Sequence, residues 1–152
     1  MLSTYAKMLN PKFNLRPIGL QGAAFMDAFF SEKLPLFTIG WLADYPDPHN
    51  WAPVYMGSNG DYSSFFGEAY REFARENVDP LLEQGLKETD KEKRAAIYKE
   101  LTQIAHEQAI SIYAYQPGLS HIQRTWIKGW YFNPIMPGEP EGADFYNLTK
   151  GE

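Results

Sequence analysis

Apolar positions change their spacing several times along the chain, and each change marks an element. Residues 3–10 have helical composition, and Pro11 stops the run because its ring cannot continue a helix. Phe13, Leu15 and the Pro17-Ile18 step then alternate with polar residues, the period-two pattern of a short strand. Residues 21–32 predict a helix with Phe25, Met26, Phe29 and Phe30 on one side. Residues 34–41 form a dense apolar run containing Phe37 and Ile39, which suits a strand buried on both faces. The first forty residues therefore predict strand, helix, strand, the unit in which a crossover helix joins two parallel strands.

Residues 42–67 predict a long loop rich in Pro, Gly, Ser, Asn and aromatics, and a stretch of that length in a compact domain usually carries function. Two helices follow. The first has Asn77 or Asp79 as its cap, Pro80 at an early position, and Val78, Leu81, Leu82 and Leu86 as apolar residues. The second opens at Thr89 and Glu92, the spacing of a capping box, and Ile97, Leu101, Ile104, Ala105 and Gln108 trace one face. Lys91, Lys93, Lys99 and Glu100 fall on its solvated side. Ile110, Ile112 and Ala114 alternate with Ser111, Tyr113 and Tyr115 as a strand, and residues 119–127 suit another. From Gly129 the chain is rich in turns, with Pro134, Pro137 and Pro140, and closes on the apolar 145–148 stretch.

Composition narrows the function classes. The 152 residues are 44% hydrophobic and 22% charged, as expected for a globular domain with its own core. The net charge of -5, with no block of Lys or Arg, leaves no electrostatic footprint for nucleic acid or an anionic membrane. The absence of cysteine removes disulfides, thiolate catalysis and Cys-based zinc sites. No apolar run approaches the ~20 residues needed to span a bilayer, and residues 1–10 lack the pattern of a signal peptide. Four Trp, ten Tyr and ten Phe are the distinctive feature, and they must fill a core, line a cleft or meet a partner. Tyr113, Tyr115, Trp126, Trp130, Tyr131 and Phe132 are read mainly as core, with a minority facing a cleft.

The candidate chemistry lies in residues 40–51, directly after the expected buried strand. In open α/β sheets, ligands bind beyond the carboxyl ends of strands. There, Asp44 flanked by Trp41 and Tyr45 suits an ammonium group covered by rings. The alternative is that Asp44 and Asp47 only cap turns by accepting backbone N–H groups. A glycosidase using both carboxylates is disfavoured, since three residues of separation in a proline-locked loop do not place them on opposite sides of a sugar. His49, His106 and His121 are scattered and carry no zinc-site spacing, and neither a phosphate-binding glycine loop nor a nucleophile elbow occurs. Neither a cofactor nor a metal is expected.

Residues 40–48, Gly-Trp-Leu-Ala-Asp-Tyr-Pro-Asp-Pro, resemble the signature of the peptide/nickel (family 5) solute-binding proteins of ABC importers. Other landmarks recur in order. Residues 77–82, with Asn77, Asp79, Leu81 and Leu82, resemble a family helix start. Residues 90–98, with Asp90, Lys93, Arg94 and Tyr98, resemble its next helix, and Ile110 to Tyr113 and Trp126 to Gly129 resemble later elements. Ala109-Ile110 stands where a proline is commoner in the family.

The resemblance implies an α/β, periplasmic-binding-protein-like (type II) partial fold, in which two lobes close over a ligand. Residues 1–115 would be the second-lobe portion, and residues 116–152 a crossover and tail returning to the first. It further implies that Asp44 pairs with a ligand's α-ammonium group, with Trp41, Leu42, Ala43 and Tyr45 lining the same cleft. The implied partners are a small peptide or similar solute, the permease subunits, and either a missing N-terminal lobe or a second copy. The implied compartment is periplasmic or extracellular. Family members are several times longer, so the sequence resembles a C-terminal part. Two readings stand beside this one: a small glycoside or peptide hydrolase using Asp44 and Asp47, and a structural piece completing a separately encoded half.

Overall fold

The computed structural model describes residues 2–41, 43–114, 118, 120–132 and 145–151. Leu42, Tyr115, Leu119 and the proline-rich 133–144 stretch lie outside the described residues. The chain divides into two compact units, residues 1–39 and 40–152.

In the first unit, helix α1 (Leu2–Leu9) forms where expected but buries none of its residues. Asn10 closes it, its backbone N–H donating to the Ala6 carbonyl while its side chain accepts from the backbone N–H of Lys12. Ser3 Oγ donates to the Leu15 carbonyl at 2.7 Å, tying the segment after the helix back to its first turn. Helix α2 (Gly22–Phe30) also forms as expected. Its end is a Schellman motif: Lys33 N–H donates to the Ala28 carbonyl and Glu32 N–H to the Phe29 carbonyl. Glu32 takes the left-handed position, with φ 53°, where glycine is the usual residue. Phe29 is the buried side chain of the helix, with Phe30 and Phe37 edge-on at 5.4 and 5.2 Å between centroids.

The strands expected on either side of α2 do not form. Residues 13–18 form no ladder, and in residues 34–41 Leu36 is 59% exposed and Ile39 is exposed as well. The strand–helix–strand reading of the first forty residues is thereby corrected to two helices with unladdered connections. Apolar density cannot make a strand alone, because every backbone group of a strand needs a neighbour across the sheet. Pro35 also removes one of the donors.

The second unit is built on helices. Residues 42–67 are not structureless: they hold a 3₁₀ turn (Pro48–Asn50), the short helix α3 (Ala52–Met56) and a second 3₁₀ turn (Ser63–Phe66). Helix α4 (Glu68–Asn77) was not expected. Tyr70, Phe73 and Ala74 give it an apolar face at helical spacing, a pattern present in the sequence. Helix α5 (Asp79–Lys87) and the seventeen-residue helix α6 (Lys91–Glu107) follow as expected, but α5 is capped at Val78, which makes no side-chain cap bond, rather than at Asn77 or Asp79. The α6 cap is Asp90 rather than Thr89, its carboxylate accepting from the backbone N–H groups of Glu92 and Lys93, both at 3.0 Å.

The core joins α3 to α6 through Met56, Tyr70, Ala74, Val78, Leu82, Ile97, Tyr98, Leu101 and Ala105. Val78 is wholly buried and Leu101 is 1% exposed. Leu86 and Gln108, placed on apolar faces by their spacing, are exposed. Buried polar groups inside this unit are paired, as burial demands. Ser58 donates its N–H and its hydroxyl to the two carboxylate oxygens of Asp79, at 2.9 and 2.6 Å. Tyr70 donates its hydroxyl to the Met56 carbonyl at 2.8 Å, and burial pushes that phenol up to about 12. Gly57 is required where it stands, since a Cβ there would lie 2.7 Å from the Pro53 carbonyl oxygen.

Beyond α6 the expected strand at 110–114 is absent, and Ile112 is exposed. The ladder among the described residues is short: β1 (Ile127–Lys128) pairs antiparallel with β2 (Thr149–Lys150), with Ile127 opposite Lys150. Residues 145–148 were expected as a closing apolar element, and Phe145–Asn147 form a 3₁₀ turn there. Trp126, Trp130, Tyr131 and Phe132 are exposed, so their reading as core is corrected. None of the helices among the described residues is long and apolar enough to cross a membrane.

Candidate functional site

Three consecutive constraints shape the loop of residues 43–50. Pro46 and Pro48 fix their own φ angles and restrict the residues before them. Asp47 then caps the 3₁₀ turn, its Oδ1 accepting from the backbone N–H of His49 at 2.7 Å. Pro48 occupies an early position of that turn, where the missing N–H costs little. The Asp47 carbonyl accepts from the Asn50 N–H and closes the turn.

Asn50, 5% exposed, is the centre of the loop. Its Oδ1 accepts from the Trp41 indole Nε1–H at 2.9 Å and from the Asp44 backbone N–H at 3.2 Å. Its Nδ2 donates to Asp44 Oδ2 at 3.1 Å. One buried amide thus sets both the Trp41 ring and the Asp44 carboxylate. Asp44 itself is exposed and, among the described residues, makes no ion pair. Trp41 is half-buried and meets Tyr62 edge-on at 6.4 Å between centroids.

Of the five residues expected to form a site, the structure joins Trp41 and Asp44 through Asn50. Ala43, between them, is buried. Tyr45 is 43% exposed, and its carbonyl accepts from the Asp47 N–H. Leu42 lies outside the described residues.

Asp47 has a different fate from Asp44. Arg94 grips it with two bonds, Nη1 to Oδ2 at 2.9 Å and Nη2 to Oδ1 at 2.7 Å. The remaining guanidinium nitrogen, Nε, donates to the Gly85 carbonyl at 2.9 Å, and Nη2 also reaches the Tyr98 hydroxyl at 3.3 Å. The Tyr98 hydroxyl lies 3.3 Å from His49 Nδ1. The Arg94 bonds hold the Asp47 carboxyl below the usual carboxylate range, outweighing the opposing effect of burial. The same pairing raises the Arg94 guanidinium further.

Asn50, Arg94, Tyr98 and His49 were not picked out as site residues from the sequence. Arg94 and Tyr98 lie on one helical face with Leu101, the only local signal that their polar ends point at structure rather than solvent.

The arrangement suits binding better than catalysis. An exposed carboxylate with a preset orientation, beside an indole, can accept from a cationic or ammonium donor. Both Asp47 oxygens are engaged by Arg94 and one of them also caps the turn, which does not suit Asp47 to serve as the second carboxylate of a hydrolase. Among the described residues no three His, Asp or Glu side chains converge in a way that could hold a metal ion.

No family model matches the chain, and no solved structure does. Three characterised proteins resemble it. The chain is 26% identical over 100 residues, 66% of its length, to di/tripeptide-binding protein 4 of Pseudomonas aeruginosa. It is 31% identical over 119 residues, 77% of its length, to the oligopeptide-binding protein OppA of Bacillus subtilis. It is 28% identical over 120 residues, 78% of its length, to heme-binding protein A of Haemophilus influenzae. The matched regions cover 18%, 20% and 21% of those proteins, so the chain spans about a fifth of the length of the relatives it matches. Each relative is named for binding and none for catalysis, and over most of its own length this chain is similar to ligand-binding proteins.

Proposed function

We propose that this chain forms part of the solute-binding component of an ABC importer, of the family 5 type, and that its ligand is a small peptide. The similarity to three proteins named for binding supports the solute-binding role, and two of the names specify peptides. The observation that carries the peptide assignment is Asp44: exposed, oriented by buried Asn50 and, among the described residues, in no ion pair. In this reading its carboxylate pairs with the ligand's α-ammonium group, and Trp41, Leu42, Ala43 and Tyr45 form the wall beside it.

Residues 1–115 then belong to the second lobe of the binding protein, and residues 116–152 to the crossover and tail returning to the first. The protein works outside the cytoplasmic membrane and delivers its ligand to permease subunits. The exposed Leu2, Tyr5, Met8 and Leu9 of α1 and the exposed Leu36 support a further partner, the complementary lobe or a second copy.

The test is titration of the 152-residue chain with alanyl-alanine and with its N-acetylated form, followed by the indole resonance of Trp41. One cleft wall binds weakly, and resonance shifts register weak binding. The free-amine dipeptide is expected to shift that resonance. Acetylation or Asp44→Asn is expected to weaken the response about tenfold or more, the worth of a charge-assisted bond. Equal binding of both dipeptides would refute the ammonium pairing. Binding of heme with no response to either dipeptide would replace the peptide by the ligand named for the third relative.

A further inference from the structure

We infer that Arg94 is a positioning residue for the ligand loop: through Asp47 it fixes the turn that presents Asp44 and Trp41. This rests on the reading of Asp44 as a ligand contact, but the geometry has a consequence that needs no ligand.

Arg94 belongs to α6 and touches neither Asp44 nor Trp41 through any bond described above. Its three nitrogens instead bond two separate parts of the chain. Nε holds the carbonyl of Gly85 in α5, while Nη1 and Nη2 hold both oxygens of Asp47 in the loop. The Tyr98 ring lies under the guanidinium, 5.0 Å from its carbon to the ring centroid. Gly85 makes that approach feasible, since a Cβ there would crowd the Tyr98 ring at 3.1 Å.

An ordinary surface ion pair adds little, because two mobile side chains must be ordered to form it. Here the order already exists. The guanidinium is planar, bonded at every nitrogen and backed by a ring, and the carboxylate is tied to the His49 N–H. From Asp47 the constraint passes along three peptide steps, closed by the turn bond between the Asn50 N–H and the Asp47 carbonyl, to Asn50, whose amide sets Asp44 and Trp41. Lysine would keep the charge but lacks the fork needed to bond Gly85 and both Asp47 oxygens together.

Hydrogen exchange of the Trp41 indole N–H in the ligand-free chain reads this directly, with the resonance assigned through Trp41→Phe. The amides of α6 in the same spectra report global opening. In Arg94→Lys and in Asp47→Asn, exchange of the indole is expected to accelerate about tenfold more than that of the α6 amides. Acceleration of both by one factor would make Arg94 a general stabiliser, and no acceleration would remove it from the loop altogether; either result overturns the inference. The affinity for alanyl-alanine is expected to fall about tenfold in Arg94→Lys, although Arg94 does not touch the dipeptide. If the unaltered chain does not bind alanyl-alanine, the peptide reading fails, while the ligand-free exchange still decides whether Arg94 positions the loop.

Discussion

Residues 34–39 and residues 97–105 both carry large apolar side chains, yet they meet opposite environments. Leu36 and Ile39 are exposed, whereas Ile97, Leu101 and Ala105 are buried against α3, α4 and α5. The difference lies in where each conformation finds its hydrogen bonds. A helix satisfies its backbone internally and needs only an apolar neighbour for one face. An extended segment must find a second strand to bond its backbone, and of residues 34–39 Phe37 packs on Phe29 without one. Among the described residues such a neighbour exists for residues 127–128 and not for residues 34–39.

The widest separation between the two regions comes from core truncation. Leu101→Ala is expected to cost about 2–5 kcal/mol in urea unfolding, since the side chain is deleted from a closed interior. A loss under about 1 kcal/mol would mean that the α3–α6 core is far looser than its burial indicates.

A smaller effect is expected at the bond between the loop and α6, and it depends on acidity. Asp47 has a folded pKa below its ordinary value, so its contribution is complete above the ordinary carboxylate range. It is lost as the pH falls through the depressed folded pKa. The stability difference between the unaltered chain and Asp47→Asn should therefore be largest near neutrality and shrink below about pH 4. A difference that stays constant through the acid range would show that Arg94 does not stabilise the ionised form.

The smallest effect belongs to the exposed segment. Leu36→Ala should change unfolding stability by no more than about 0.5 kcal/mol. A loss comparable to that of Leu101→Ala would place Leu36 in a packed interior and erase the contrast.

Helices α5 and α6 were legible because their signals are local: Pro80 near the start of one, Asp90 and a periodic apolar face in the other. Thr89 competes for the cap because it has a glutamate three residues on. One residue later, Asp90 is an equally good capping type, and spacing cannot choose between them. Helix α4 carries an apolar face in Tyr70, Phe73 and Ala74, but Phe65 and Phe66 just before it blur its start. The extended segments mislead for a different reason, since their apolar runs say nothing about whether a partner strand is present. In the loop, Trp41 and Asp44 drew notice by residue type and proximity. The amide joining them and the Arg94 bond to Asp47 left no comparable trace, because a pairing across 47 positions has no period to detect.

That separation also orders events in time. The parts of the core in which α4 packs on α5 and α5 on α6 join helices consecutive in sequence, with only residues 88–90 between α5 and α6, so those contacts close short stretches of chain. Such low-contact-order assemblies nucleate and condense quickly. The clasp of Arg94 on Asp47 closes a stretch of 47 positions, longer than the contacts of α5 with α6 and similar to those of α3 with α6, and its closure entropy is offset once α5 and α6 have docked and Gly85 is in place. The loop of residues 43–50 is therefore expected to settle after α4, α5 and α6 have packed, moulded onto helices that reach their shape first.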